Sequence, residues 1–131
     1  MTKQNQALFT KLTPEQAAAI EGGATLRLDT LRLNRAGSDD IGGDDPIIRL
    51  NGNTVASFRD IIISNNPADN IFSIDQSFAV GDTFDIQILD DDDGFSAPDP
   101  IETRTYSGTG TFSSIFSNEF SSYTLSGEIL P

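Results

Sequence analysis

The sequence predicts an all-β domain, an antiparallel Greek-key β-sandwich of about eight strands preceded by a short helical extension. Three observations predict it. Short runs rich in β-branched residues, Leu and Phe recur between turn signals from Leu26 to Leu130. Composition changes at "EGGA" (Glu21–Ala24): Ala and Gln dominate before it, and Asp, Ser, Thr, Gly and β-formers after it. The length, 131 residues, suits one domain of ordinary size. The boundary therefore falls between an extension, residues 1–23, and a sandwich, residues 24–131.

The extension carries a helix signal with a start and a stop. In "LTPEQAAAIEGG" (Leu12–Gly23), Thr13 suits the N-cap, Pro14 the first helical position, and Gln16 the third position of a capping box. Gly22 or Gly23 supplies a left-handed stop. A helix this short is marginal alone in water and needs a partner.

In the sandwich the pattern predicts strands near Leu26–Leu33, Ile47–Leu50, Val55–Phe58, Ile61–Ser64, Ile71–Ile74, Thr83–Leu89, Ile101–Tyr106 and Tyr123–Leu130. Asn51-Gly52 is a hairpin cue, and "SNNPAD" (Ser64–Asp69) and "VGD" (Val80–Asp82) read as turns. Phe58, Phe72, Phe78 and Phe84 join the core. "TLRLDTLRLN" (Thr25–Asn34) is a five-residue near-repeat. Strand side chains alternate with period two, so an odd repeat sends Leu26 and Leu28 one way and Leu31 and Leu33 the other. A bulge near Asp29–Thr30 restores one inward face; otherwise the first pair caps an edge or contacts another molecule. "SGTGTFSSIFSNEFSS" (Ser107–Ser122) reads as strand and loop, or as a mobile surface segment.

Charge and composition exclude several functions. A formal net charge of -12 repels nucleic acid and anionic membranes unless a cation intervenes. With no His and no Cys, the chain lacks the common zinc sites, thiol catalysis and every His-dependent triad. No apolar run approaches the ~20 residues that span a bilayer. Clustered acids on loops, with no readable nucleophile–base pair, argue against an enzyme.

The acids form two clusters, each where a strand leaves the core. "GSDDIGGDDP" (Gly37–Pro46) holds Asp39, Asp40, Asp44 and Asp45, and "DDDDGFSAPDP" (Asp90–Pro100) holds Asp90, Asp91, Asp92, Asp93 and Asp99. If both strands exit at one end, the clusters meet. Two charges ~4 Å apart repel by ~1 kcal/mol even in bulk water. Calcium accepts 6–8 oxygen ligands in flexible geometry and relieves that repulsion, whereas magnesium keeps more of its water. An EF-hand is excluded by spacing: with Gly94 at the required glycine, Leu89 and Pro100 fall on ligand positions.

Two resemblances follow from these residues. The segment ending in Gly22-Gly23 resembles the double-glycine leader of bacterial peptides exported by peptidase-containing ABC transporters. The resemblance implies cleavage after Gly23, recognition of Phe9, Leu12, Ala17 and Ile20 by the transporter's peptidase, and a mature protein secreted without the Sec pathway. The acidic loops resemble those of calcium-binding C2 domains. Asp39 and Asp45-Pro46 match one loop of that family. Asp90 and Asp92 match the Asp-x-Asp of the other, and Asp99 matches its closing acid, somewhat later than the family's pattern has it. The resemblance implies calcium ligation by Asp39, Asp45, Asp90, Asp92 and Asp99, with Asp40, Asp44, Asp91 and Asp93 as further candidates. It also implies an apolar loop tip, here Phe95, for membrane or partner contact. The lysine-rich strand that reads anionic lipid in that family is absent.

These readings converge on a secreted, non-catalytic calcium-binding sandwich whose loops contact a partner, a surface or another copy. Two alternatives stand beside it. One is a calcium-dependent self-assembling matrix or filament protein, with Leu26/Leu28 and Ser107–Ser122 as adhesive surfaces. The other is an exported, bacteriocin-like toxin precursor, suggested by the leader alone.

Overall fold

A computed structural model describes residues 23–35, 44–91 and 98–131. The helix signal and the leader residues Phe9, Leu12, Ala17, Ile20 and Gly22 lie outside that set. So do Asp39, Asp40, Asp92, Asp93 and Phe95.

Strand β1 (Ala24–Arg35) shows how the near-repeat is resolved. Its register with both neighbours shifts between Leu28 and Thr30, at the expected bulge. One extra residue turns the second leucine pair back to the face of the first. Leu26, Leu28, Leu31 and Leu33 are all buried, so the alternative role of Leu26 and Leu28 as an outer contact surface is overturned.

The other strands are β2 (Pro46–Leu50), β3 (Asn53–Ser57), β4 (Ile71–Val80), β5 (Thr83–Asp90), β6 (Asp99–Ser107), β7 (Gly110–Ser117) and β8 (Ser122–Leu130). All their pairings are antiparallel. They form two four-stranded sheets, β4-β1-β8-β7 and β3-β2-β5-β6. Asn51 and Gly52 both take positive φ, 50° and 86°, as a two-residue hairpin turn between β2 and β3 requires. Side chains from the inner faces of both sheets fill one core, with Leu26, Leu28, Ile48, Ile86, Ile88, Phe116, Tyr123 and Leu125 almost wholly enclosed. Phe84 is buried, and Phe58, Phe72 and Phe78 pack at its margin.

One expectation is corrected and one open alternative is decided. Ile61–Ser64 is not a strand. Only Ile61 pairs, in an isolated bridge with Asp44, and the chain then turns through a 3-10 segment, Pro67–Asn70. The buried Asn70 side chain accepts from the Ser64 amide at 2.7 Å and donates to its carbonyl at 3.0 Å, which diverts those groups from any ladder. Ser107–Ser122, read as strand and loop or as a mobile segment, contains a full strand, β7, as the first of these readings has it.

Candidate metal centre

The two acidic segments open from one end of the sandwich. β1 finishes at Arg35, opposite Ser122 at the start of β8. β2 begins at Pro46, opposite Asp90 at the end of β5, and Asp90 faces Asp99 at the start of β6. Asp90 and Asp99 are therefore in register across the second sheet and Asp45 lies one residue beyond the ladder, so the three stand in a row along its end, with Asp44 and Asp91 beside them.

Backbone amides hold this row in place. The Asp45 amide donates to Asp90 Oδ1 at 2.9 Å, and the Asp60 amide donates to Asp45 Oδ1 at 2.6 Å. The Asp91 amide donates to the Asp45 carbonyl at 3.0 Å. Asp60 reaches this position in a left-handed conformation, φ 52°. Asp90 is buried, at 2% exposure, whereas Asp99 is exposed. A cleft of about 450 Å³ beside the row is lined by Asp45, Asp91, Phe58 and Arg59, among others.

Asp44 faces inward. Its amide and carbonyl pair with Ile61, each at 2.9 Å. Its carboxylate Oδ2 accepts from Ser121 Oγ at 2.7 Å and Tyr123 Oη at 2.5 Å. A buried carboxylate needs such donors, because leaving water without them costs several kcal/mol. Burial pushes the Tyr123 phenol well above the usual tyrosine range. The hydrogen bond to Asp44 and the charges of Asp44 and Asp90 push it further, against a smaller opposite effect of Ser121.

A proton held more tightly in the folded state than in the unfolded one stabilises the fold below the unfolded tyrosine pKa, about 10. That stability is lost as pH rises above this value. Melts between pH 7 and 11 should show a plateau and then a fall. Tyr123→Phe should make the fall shallower and lower stability at neutral pH by about 1–2 kcal/mol, because Asp44 loses a donor. The fall should not vanish, since burial also raises Tyr106.

Two further segments share this end. In the turn between β7 and β8, Asn118 Oδ1 accepts from the amides of Phe120 and Ser121, each at 2.8 Å, and Arg35 donates to the Asn118 carbonyl at 2.9 Å. The turn exposes Phe120, and the chain beyond Ile61 exposes Ile62 and Ile63. Sequence reasoning missed this apolar rim, as well as Asp60, Ser121 and Tyr123 as the groups that position the acids. Asn118 in "SNEF" (Ser117–Phe120), a common turn former, is the signal that could have marked the turn exposing Phe120; nothing local pointed to the contact of Tyr123 with Asp44.

Among the described residues, no three acidic side chains are placed to hold one ion. The row is thus the base of a candidate site. A full coordination shell needs acids from residues 36–43 and 92–97, where Asp39, Asp40, Asp92 and Asp93 lie. The donors at the base are all oxygens, several already ordered by amides, and this chemistry fits a hard cation such as calcium.

Solved structures share this architecture. One described as the structure of a C2 domain matches with a TM-score of 0.52 at 16% identity, over 82% of this chain and 99% of its own. The fold is C2-like. A second, a C2 domain of plant Extended Synaptotagmin 1, matches with a TM-score of 0.50 at 13% identity, over 83% of this chain and 95% of its own. At these identities the C2 likeness is one of fold. No family model and no curated protein matches the chain.

Proposed function

We propose that this chain is a secreted, non-catalytic, C2-like module that binds calcium at its acidic end and then contacts a partner or surface through the same end. The observation that carries the reading is the row Asp45, Asp90 and Asp99 at the base of both acidic segments, two of its members ordered by backbone amides. Carboxylates gathered without a cation repel one another, and fixing them in advance lowers the ordering cost of binding an ion. Asp39 and Asp92 would complete the shell. The ion would neutralise part of the negative end and leave Ile62, Ile63 and Phe120 as an apolar rim beside it. Crystals grown with calcium provide the test. Density at the row with oxygen ligands at about 2.3–2.6 Å supports the reading. An ion bound elsewhere, with Asp45 and Asp90 unligated, contradicts it.

Export through a peptidase-containing ABC transporter, with removal of residues 1–23, belongs to the same proposal. It is supported by the position of Gly23 immediately before β1, so that cleavage there leaves every strand whole. Intact-mass measurement of the protein from the culture medium should find a chain that begins at Ala24. A chain retained in the cytoplasm with residues 1–23 attached would contradict the export reading.

A further inference from the structure

The four strands at the sheet edges are protected unequally. β3 is only five residues long. β4 carries Asp75 in a left-handed conformation, φ 50°, in its middle. β6 carries Glu102 and Arg104. β7 (GTFSSIFS) has eight residues, no charge and an alternating Phe/Ser/Ile pattern with Ile115 exposed. An uncharged, β-prone edge of this length is a template for another strand, and natural proteins usually guard such edges.

The guard here comes from the opposite sheet. Glu102 Oε1 accepts from the Ser117 amide at 3.0 Å, and Arg104 Nε donates to the Ile115 carbonyl at 3.1 Å. Arg104 Nη2 also pairs with Glu102 Oε2 at 3.0 Å, and its guanidinium lies 5.6 Å from the centroid of the Phe116 ring. Alternate residues of an antiparallel strand turn both backbone groups to the same side. Ser117 and Ile115 are therefore two of the edge-facing residues of β7, and Ser113, of the same parity, is a third. An ion pair with one acceptor and one donor thus fits the edge pattern of the strand.

We propose that Glu102 and Arg104 form a latch over the edge of β7 that prevents this edge from pairing with the same edge of a second copy of the chain. A second copy is the fitting occupant because two antiparallel copies of one edge are self-complementary. β7 also contributes no charge at the contact, in a chain that otherwise repels itself with a net charge of -12.

The test is sedimentation velocity of the full chain in chelator, over a hundredfold range of concentration. Wild type should remain one chain in mass. Glu102→Ala/Arg104→Ala should shift from one chain to two as concentration rises. Adding Ser113→Pro, which removes an edge amide and is tolerated on edge strands, should reverse the shift. A folded double variant that remains monomeric overturns the proposal, as does association that Ser113→Pro leaves unchanged. Amide exchange in the wild type tests the latch without any variant. The Ser117 amide should exchange roughly tenfold more slowly than the Ser113 amide, and equal rates overturn the proposal.

Discussion

Gly127→Ala should lower the melting temperature by roughly 10–20 °C, corresponding to about 3 kcal/mol. Gly127 is buried in β8, a central strand, between Leu28 of β1 and Phe112 of β7. A methyl group there would collide with the Arg27 carbonyl oxygen, a backbone atom of β1, and would stand 2.9 Å from Phe112 Cζ. Neither neighbour can give way cheaply. Moving Arg27 disturbs β1 close to its bulge. Moving Phe112 disturbs the aromatic series in which Phe112 lies 5.0 Å from Tyr106 and Tyr106 lies 5.7 Å from Phe84, bridging the two sheets. The ring of Phe112 over a bare glycine is the packing that lets β7, β8 and β1 close here. Calorimetry of the full chain checks this, and a fall of less than about 3 °C would show that the strands can part around the methyl group at little cost.

Calcium should raise the melting temperature substantially, and magnesium much less. A ligand that binds only the folded state stabilises it by ~2.7 kcal/mol at 100 times its Kd, which for a domain of this size is a shift on the order of 10 °C. The variants should behave oppositely with and without the ion. In chelator, Asp99→Asn removes one of several crowded charges from an exposed position, so stability should hold or rise slightly, by less than about 1 kcal/mol. In calcium the same variant should lose part of the increment. Asp45→Asn retains an oxygen for the Asp60 amide but gives up a charged ligand, and should lose more. Equal shifts in calcium, magnesium and chelator would leave the acidic end without its proposed role.

Much of the scaffold was legible because local rules decide it. The odd near-repeat in Thr25–Asn34 could keep its leucines buried only through a bulge, and the register shift lies after Leu28. Asn51-Gly52 marked a turn that both positive φ values confirm. The acids were legible as strand-end residues, and the pairings Pro46–Asp90 and Asp90–Asp99 bring those ends together. One strand was misread and another left open, for different physical reasons. "IIIS" (Ile61–Ser64) has the composition of a strand but no alternation, and the Asn70 side chain takes the backbone groups of Ser64 that a neighbouring strand would need. β7 has the alternation, with Phe112 and Phe116 on the core side, but its serines left strand and mobile segment both open; an edge strand with one wet face can carry them. The partners of Asp44 were illegible for a different reason. Ser121 and Tyr123 lie 77 and 79 residues further along the chain, and only the packing of the sheet that holds β8 against the sheet that holds β2 brings them to the carboxylate. Burial of Asp44 was equally unreadable, because adjacent aspartates look alike in sequence while here Asp44 turns toward the core and Asp45 toward the Asp60 amide.

The most direct test of the central claim is a calorimetric titration of the full chain with calcium in a constant excess of magnesium. Saturable binding of at least one ion per chain is expected, with a Kd at or below the ~10⁻⁴–10⁻³ M range of extracellular calcium modules. Asp45→Asn should weaken it by roughly tenfold or more, about 1.4 kcal/mol. No saturable calcium binding by ~5 mM, or binding that Asp45→Asn leaves unchanged, would contradict a calcium site at this end of the sandwich.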